Sequence, residues 1–474
     1  MLFNSIEYLI FLPLVLLLYW KVFNRGSIQT RNGFLLAASY FFYGWWDYRF
    51  LGLIILSSAV DYFCGLQIYR ATKQSSKKHI LFVSLLVNIG ILFAFKYFGF
   101  FMTEFETLFQ KFGMSLHFVD LRIILPVGIS FYTFQSLSYT IDIYRKKIKP
   151  TQNPLTFFTY VAFFPQLVAG PIERAAHLLP QFSDLKKFNY DTAANGFRQI
   201  LWGFFAKVAV ADSVAPIVDT IFNQEANVNA ATLILGAILF SIQIFGDFAG
   251  YSNIAIGTAN LLGFDLMQNF RTPYFSRNIR EFWSRWHISL STWFRDYVYI
   301  PLGGNRCSKK RHVFNIIVTF VVSGLWHGAN WTFLIWGLIH GLLYLVTTST
   351  TKQNQSKEIS IKNWPAILLT FSLVSFAFIF FRAENIAQAF GYISRIFTFK
   401  SGIGLLQLSG ISKLVPALFF SAVLFVTEWI MRDRKHGLDI ASYKMPLRHL
   451  AYYLVIFAVL FSFQSDRIFI YFQF

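Results

Sequence analysis

His327 lies inside a long apolar stretch and is the first side chain in this sequence that could do chemistry. The stretch runs from Val321 to Gly341 and reads VVSGLWHGANWTFLIWGLIHG, which is apolar enough to lie in a bilayer. An ionisable side chain at membrane depth costs free energy, so it is expected to face a cavity, a partner or a substrate path. Imidazole also titrates near neutral pH and suits a general acid or base. The alternative is a buried histidine that bonds a neighbouring helix.

A second histidine, His287, lies in a basic segment between residues 271 and 311. Aromatic and apolar side chains recur at helical spacing from Phe282 to Tyr297, and His287 falls on the opposite, polar side. This pattern predicts an amphipathic helix at the cytosolic interface of the membrane. His287 is then either catalytic or a solvated histidine at the level of the lipid headgroups.

Residues close to His327 are candidates for the walls of a substrate tunnel. Trp326 and Trp331 either line such a tunnel or pack as core residues, and Asn330 either orients the imidazole or caps a helix. His340 follows His327 by thirteen positions, which at about 100° per residue points it to another side of the helix. We therefore interpret His340 as structural.

A third polar group lies in the apolar sequence FGDFAGYSNIAIG, which contains Asp247 and Tyr251. A membrane helix must bury such groups against protein or a water-filled path. Asp247 and Tyr251 are therefore either part of a structural hydrogen-bond network or part of the substrate passage.

Segment 271–311 carries nine Lys and Arg residues against two acids, Glu281 and Asp296. Guanidinium groups bind phosphate through paired, charge-assisted hydrogen bonds, so the segment predicts a site for the phosphates of a cytosolic donor. The formal charge of +19 is better explained by this ligand and by anionic lipid headgroups than by nucleic acid. No His, Asp and Glu set has metal-ligand spacing, and no metal is predicted. The candidate phosphate-binding residues are Arg277, Arg280, Arg285, Arg295 and Arg306.

The elements that position these residues are predicted to be membrane helices. The chain has 474 residues, of which 55% are hydrophobic and 14% charged, and a mean hydropathy of +0.49. These values predict an all-α polytopic membrane protein with a single domain over 1–474. The apolar segments that recur along the chain predict roughly eleven transmembrane helices. Segment 312–347 is the predicted membrane segment that holds His327. Pro165, Gly170 and Pro171 interrupt the apolar run of 161–185 and predict a re-entrant or broken element there.

Charge in the connecting segments predicts the orientation. The connections after the first, third and fifth apolar segments are rich in Lys and Arg, whereas acids such as Glu104, Glu106 and Asp120 lie in the intervening connections. The positive-inside rule therefore predicts an extracytoplasmic N-terminus and cytosolic basic connections.

Several motifs resemble the membrane-bound O-acyltransferase family, and specifically its bacterial branch that acetylates polysaccharides. They are SGLWHGANWTFLIWG, RNIREFWSRWHISLSTWFRDYVYIPLGGNR, VAGPIER at 168–174 and FGDFAGYSNIAIG. The resemblance implies a ring of transmembrane helices around a central tunnel, with His327 as the catalytic residue and His287 as the second histidine. It further implies that acetyl-CoA is the cytosolic donor substrate and that no cofactor is bound. The acetyl group would cross the cytoplasmic (inner) membrane to a cell-envelope polysaccharide, such as an alginate-like exopolysaccharide or peptidoglycan, through a secreted, hydrolase-like acetyltransferase partner.

Two other functions remain open at this point. The same intramembrane polar residues fit a polysaccharide or lipid transporter that performs no acyl chemistry. Within the enzyme class, the donor could instead be a carrier protein that delivers D-alanine to teichoic acid.

Overall fold

A computed structural model describes residues 1–114, 124–168, 170–350 and 361–463. Asp120 lies outside the described residues, and so does Ala169, which belongs to the VAGPIER motif. The described part is helical and contains no β-strand, only an isolated parallel bridge between Val228 and Ile403. The predicted all-α class is confirmed. The chain, predicted as one domain, forms two compact units: the first unit is 1–196 with 255–267, and the second unit is 197–254 with 268–474.

The described residues of the first unit form nine α-helices before residue 190. Ser5 begins the first of them by accepting a hydrogen bond from the backbone N–H of Tyr8, which is a typical N-cap. Their bounds are Ile6–Lys21 (α1), Ile28–Asp47 (α2), Leu51–Arg70 (α3), Gln74–Leu92 (α4), Phe98–Lys111 (α5), Ile129–Tyr144 (α6), Pro154–Ala162 (α7), Phe164–Leu167 (α8) and Ala175–Leu178 (α9).

The apolar run 161–185 is broken, as its prolines predict. Helix α7 ends at Ala162, the four-residue α8 follows with Pro165 in its first turn, and a 3-10 turn closes the run at Leu179–Phe182. Proline lacks the backbone N–H that a continuous helix would need here. The prediction of a broken element is confirmed.

The remaining helices belong wholly or mainly to the second unit. Helix α10 begins in the first unit, and α12 passes from the second unit to the first after Ile254. Their bounds are Tyr190–Phe204 (α10), Asp212–Asn223 (α11), Ala230–Leu261 (α12), Ile279–Arg285 (α13), Ile288–Phe294 (α14), Lys309–His327 (α15), Trp331–Thr350 (α16), Trp364–Arg382 (α17), Ile386–Phe397 (α18), Leu405–Ser409 (α19), Ile411–Ile430 (α20) and Met445–Ser462 (α21).

The described residues contain nine helical stretches long and apolar enough to cross a bilayer. Three of these stretches, 28–70, 74–111 and 190–223, each join consecutive helices. The protein is therefore a multipass membrane protein, as predicted, whereas the number of eleven crossings stays a prediction.

The stretch around His327 forms a helical hairpin rather than one element. Helix α15 ends at His327 and α16 begins at Trp331. The two helices approach closely through glycines, because a Cβ at Gly324 would collide with the carbonyl oxygen of Phe333, and one at Gly337 with that of Phe320. Small residues allow this close packing of membrane helices. Gly324 thus makes room for α16 beside His327.

Candidate active site

His327 is the last residue of α15 and is enclosed by aromatic rings of the second unit. Its imidazole lies 4.9 Å from Trp326, 5.1 Å from Trp336 and 5.2 Å from Phe381 between ring centroids, in edge-to-face contacts. Only 3% of the residue is exposed. A buried imidazole held on three sides by aromatic rings is fixed in orientation and separated from bulk water.

The turn after His327 is built by Gly328 and Asn330. Gly328 has an extended backbone and packs so closely on the ring of Phe333 that a Cβ there would collide with it. The Asn330 side chain accepts from Thr332 N at 3.0 Å and donates to the carbonyl oxygen of Glu384 at 2.8 Å. Asn330 therefore caps α16, the second of its two predicted roles.

His287 is buried, and the prediction of a single amphipathic helix around it is wrong. The segment breaks into α13 and α14, with His287 between them in the left-handed backbone region at φ 41°. This break turns the imidazole inward, where none of it is exposed. His287 is therefore not a solvated histidine at headgroup level.

A small polar network holds the chain on both sides of this break. Asn269 accepts a hydrogen bond from Ile288 N at 2.8 Å through its carbonyl and from Ser289 Oγ at 2.6 Å through its side chain. Its amide donates to Ser252 Oγ of α12 at 2.9 Å. Sequence reasoning missed Asn269 and its hydrogen bonds to Ser252 and Ser289, because a polar residue gives no sign in the sequence of the distant residue that it bonds.

Aromatic rings surround His287 as they do His327. The ring centroid of His287 lies 4.5 Å from that of Phe248, 6.3 Å from Phe270 and 6.0 Å from Trp326. Burial lowers the pKa of His287 to about 3, so its imidazole is neutral at physiological pH. A neutral imidazole has one ring nitrogen that donates a hydrogen bond and one that accepts a hydrogen bond.

Trp326 brings the two predicted catalytic histidines into one cluster. Its indole contacts both His327 and His287. Trp326 is buried beside both histidines, whereas 48% of Trp331 is exposed. A tunnel-lining role for either tryptophan stays a prediction.

His340 lies on α16, and not on another side of the helix that carries His327. It packs 4.8 Å from Trp336, the ring that also contacts His327, and its Nδ1 accepts from Trp283 Nε1 at 3.3 Å. The expectation that it points elsewhere on a shared helix is wrong, because the chain reverses at Gly328–Asn330. His340 supports the aromatic shell of the site.

Asp247 belongs to a buried ion-pair cluster. Lys207 Nζ lies 2.6 Å from a carboxylate oxygen of Asp247 and 2.8 Å from one of Asp212, and its ammonium group stands over the ring of Tyr251 at 5.6 Å. All four residues are at most 3% exposed. This arrangement matches the structural alternative for Asp247 and Tyr251. Lys207 lies in a π-helical stretch, Phe205–Ala211, which sequence reasoning missed.

Three of the five predicted phosphate-binding arginines already bind carboxylates. The carboxylate of Glu281 forms ion pairs with Arg277 Nε at 2.9 Å and with Arg285 Nη2 at 2.8 Å. Arg295 Nε lies 2.8 Å from Oδ1 of Asp296. Burial alone would raise the pKa of Glu281, but the hydrogen bonds from Arg277 and the charge of Arg285 outweigh it and lower that pKa. The two carboxylates thus offset two of the nine positive charges of segment 271–311.

Comparison with known proteins assigns the family. A model described as MBOAT, membrane-bound O-acyltransferase family, matches residues 35–387, which is more than half of the chain and includes both histidines. The chain belongs to the membrane-bound O-acyltransferase family. The acyltransferase is similar to a protein named probable alginate O-acetylase AlgI from Azotobacter vinelandii, with 41% identity over 84% of this chain and 78% of the relative.

Two further relatives carry different names. A peptidoglycan O-acetyltransferase from Helicobacter pylori is 34% identical over 82% of this chain and 78% of its own length. A teichoic acid D-alanyltransferase from Bacillus subtilis is 32% identical over 54% of this chain and 69% of its own length. The family and these relatives make the protein an O-acyltransferase, as predicted.

Proposed function

We propose that this O-acyltransferase moves an acetyl group from cytosolic acetyl-CoA across the cytoplasmic membrane for O-acetylation of a cell-envelope polysaccharide. The observation that carries the proposal is the cluster in which Trp326 contacts both His287 and His327. Similarity to an alginate O-acetylase and a peptidoglycan O-acetyltransferase supports acetyl as the acyl group and a glycan as the acceptor.

His327 is the general base of the proposed reaction. Its imidazole accepts the proton of the acceptor hydroxyl, whose oxygen then attacks the carbonyl carbon of the thioester. The new C–O bond forms as the C–S bond breaks, and the leaving thiolate takes the proton from the imidazolium. The aromatic shell of Trp326, Trp336 and Phe381 excludes water, which would otherwise hydrolyse the thioester.

The direction of transfer rests on the charge of the connecting segments. The basic segment 271–311 and the basic loop after α20 fit the cytosolic side, where the donor is made. We propose that the acceptor hydroxyl approaches from the opposite side, either on the glycan or on a serine of a secreted, hydrolase-like partner that completes the transfer.

Thioester cleavage tests the proposal against a transporter. Protein purified in detergent is incubated with acetyl-CoA and a hydroxyl-bearing envelope glycan, with the secreted partner added in a parallel sample, and free thiol is measured. The proposal predicts thiol release that depends on the glycan or the partner. Movement of glycan across proteoliposomes with no thiol release in either sample would favour the transporter instead.

A carrier-borne D-alanyl donor is the second candidate, because a teichoic acid D-alanyltransferase is among the relatives. That similarity covers 54% of this chain, whereas similarity to the alginate O-acetylase covers 84%, and acetyl is therefore preferred. A gene for a carrier protein and its D-alanine ligase beside this gene would reverse the preference.

A further inference from the structure

A carboxylate of the first unit, that of Asp61, lies near the middle of α3 in a helical stretch apolar enough to cross the membrane. None of the residue is exposed. Its Oδ1 accepts hydrogen bonds from Ser84 Oγ at 2.5 Å and from Thr140 Oγ1 at 3.1 Å. Asn88 Nδ2 donates to Oδ1 at 3.1 Å and to Oδ2 at 3.0 Å. Because Ser84 and Asn88 belong to α4 and Thr140 to α6, one carboxylate joins three helices.

Two further hydroxyl groups extend this polar cluster on the far side of Asn88. Ser57 Oγ donates to Asn88 Oδ1 at 2.6 Å and lies 3.4 Å from Ser136 Oγ of α6. The members of the cluster, called the Asp61 cluster below, are each at most 1% exposed; they are Ser57, Asp61, Ser84, Asn88, Ser136 and Thr140. The cluster therefore gathers carboxylate, hydroxyl and amide oxygens at membrane depth, away from bulk water.

The charge of Asp61 is not offset by a basic side chain. Within the part of the chain that the structure describes, Asp61 forms no ion pair. By contrast, the buried acids Asp212 and Asp247 of the second unit share the ammonium group of Lys207. A buried carboxylate at membrane depth is costly unless it is paired with a cation, binds a metal ion or takes up a proton. The Asp61 cluster supplies hydrogen-bond donors but no positive charge.

The directions of the hydrogen bonds favour an ionised Asp61 over a protonated one. Ser84, Asn88 and Thr140 all donate to its carboxylate. Hydrogen bonds donated to a carboxylate stabilise its charged form. A protonated carboxyl group would itself need an acceptor, whereas Asn88 presents its NH₂ group to both carboxylate oxygens and its carbonyl oxygen accepts from Ser57. A bound cation is then the remaining way to offset the charge.

We propose that the Asp61 cluster binds a sodium ion between α3, α4 and α6. Hard cations take oxygen ligands, and each hydroxyl group can donate to the carboxylate while a lone pair faces the ion. One carboxylate balances a monovalent cation, whereas Ca²⁺ and Mg²⁺ call for more oxygen ligands or for several waters. Oxygens of neighbouring side chains lie 2.5–3.4 Å apart, which suits a small ion. The site belongs to the first unit and does not depend on the proposed acyl transfer.

Thermal unfolding of the full-length protein in detergent tests the site. Melting temperatures are measured in NaCl, KCl and choline chloride at equal ionic strength, and equilibrium binding of radioactive Na⁺ is measured on the same protein. A ligand that binds only the folded state stabilises it, so the melting temperature should be a few degrees higher in NaCl than in the other two salts. The bound radioactivity should saturate at one ion per chain.

Three variants assign the ion to this cluster. Asp61→Asn removes the charge and should abolish both the Na⁺ response and Na⁺ binding. Thr140→Val keeps Asp61, and thus provides the test if Asp61→Asn does not fold; it should weaken Na⁺ binding by at least about tenfold, the low end for loss of a group that supports a metal site. The matched control is Thr159→Val, which removes an equally buried hydroxyl of the first unit that donates to the carbonyl oxygens of Asn32 and Leu155. It should melt at a lower temperature yet respond to Na⁺ as the wild type does.

Equal melting temperatures of the wild type in the three salts would overturn the sodium site and assign Asp61 as a protonated hydrogen-bonding residue. An equal rise in NaCl and KCl would overturn it as well, as would a Na⁺ response that persists in Asp61→Asn or disappears in Thr159→Val. A rise that is specific to NaCl, lost in Asp61→Asn and kept in Thr159→Val supports the site.

Discussion

The imidazole of His287 and the indole of Trp326 lie 6.0 Å apart between ring centroids, although 39 positions separate them in the chain (326 − 287). Because His327 follows Trp326 directly and packs on the same indole at 4.9 Å, one tryptophan joins two histidines that belong to different elements. A donor held near His287 and an acceptor held near His327 would therefore meet beside Trp326.

The backbone of His287 allows its side chain to be tested separately from its conformation. At φ 41°, most L-residues are strained, whereas Asn and Gly tolerate this region. We expect His287→Asn and His287→Gly to remain folded, as judged by thermal unfolding in detergent. If the imidazole takes part in proton transfer, both variants lose acetylation by at least about a hundredfold, the low end for general acid–base catalysis. Full activity in His287→Asn would show that only the backbone turn matters.

The close approach of α15 and α16 is predicted to control the position of His327. Gly324→Ala places a methyl group against the carbonyl oxygen of Phe333 and must separate the two helices. We expect a loss of about 1–3 kcal/mol of stability, typical of overpacking, and reduced acetylation. Gly391→Ala on α18 is the control, because an added Cβ there meets nothing within 4 Å. Equal stability of the two variants would contradict the packing role of Gly324.

The cluster of Lys207, Asp212 and Asp247 is predicted to stabilise the fold rather than to carry substrate. Lys207→Met leaves two buried carboxylates without their cation and is expected to cost about 3–5 kcal/mol. Adding Asp212→Asn and Asp247→Asn should recover much of that loss, and the triple variant should acetylate normally per folded molecule. Thermal unfolding and acetylation at matched protein level provide the two measurements. A stable triple variant with no activity would assign Asp247 to the substrate passage.

The first unit contains a histidine between two acids, which predicts a pH dependence of stability. His177 Nδ1 lies 2.8 Å from Glu173 and Nε2 lies 3.2 Å from Asp265. Hydrogen bonds to Asp265 and then Glu173 raise the pKa of His177 to about 10 from an ordinary 6.5. The folded state therefore binds this proton more tightly than the unfolded state, and the gain is complete below pH 6.5 and lost as pH rises toward 10. Between pH 6 and 10, the melting temperature of the wild type should fall by an amount that His177→Gln does not show. Parallel curves of melting temperature against pH for the two proteins would refute this role of His177.

The helical class and the broken element near Pro165 were predictable from sequence, because composition and proline act locally. The hairpin after His327 was not predictable, because the sequence is apolar both before and after the turn at Gly328 and Asn330. The break at His287 contains neither glycine nor proline, and its network with Asn269 exists only in the folded unit.

Some ion pairs can likewise be recognised from their spacing in the sequence, and others cannot. Arg277 and Arg285 lie four residues before and after Glu281, a spacing that indicates ion pairs and could have been recognised in the sequence. Lys207 and Asp212 are five residues apart, a distance that an α-helix does not bring together on one face. Only the π-helical turn at Phe205–Ala211 makes that pair, and no residue type announces it.

If the imidazole of His327 carries out acyl transfer, as proposed, the acetyl content of envelope glycans depends on it. Mass spectrometry compares a strain lacking the gene with strains that express wild type, His327→Ala or His327→Gln at equal membrane levels. We expect acetylation with wild type and none with either variant, both of which remain inserted and folded. Acetylation at wild-type level in His327→Ala would contradict it.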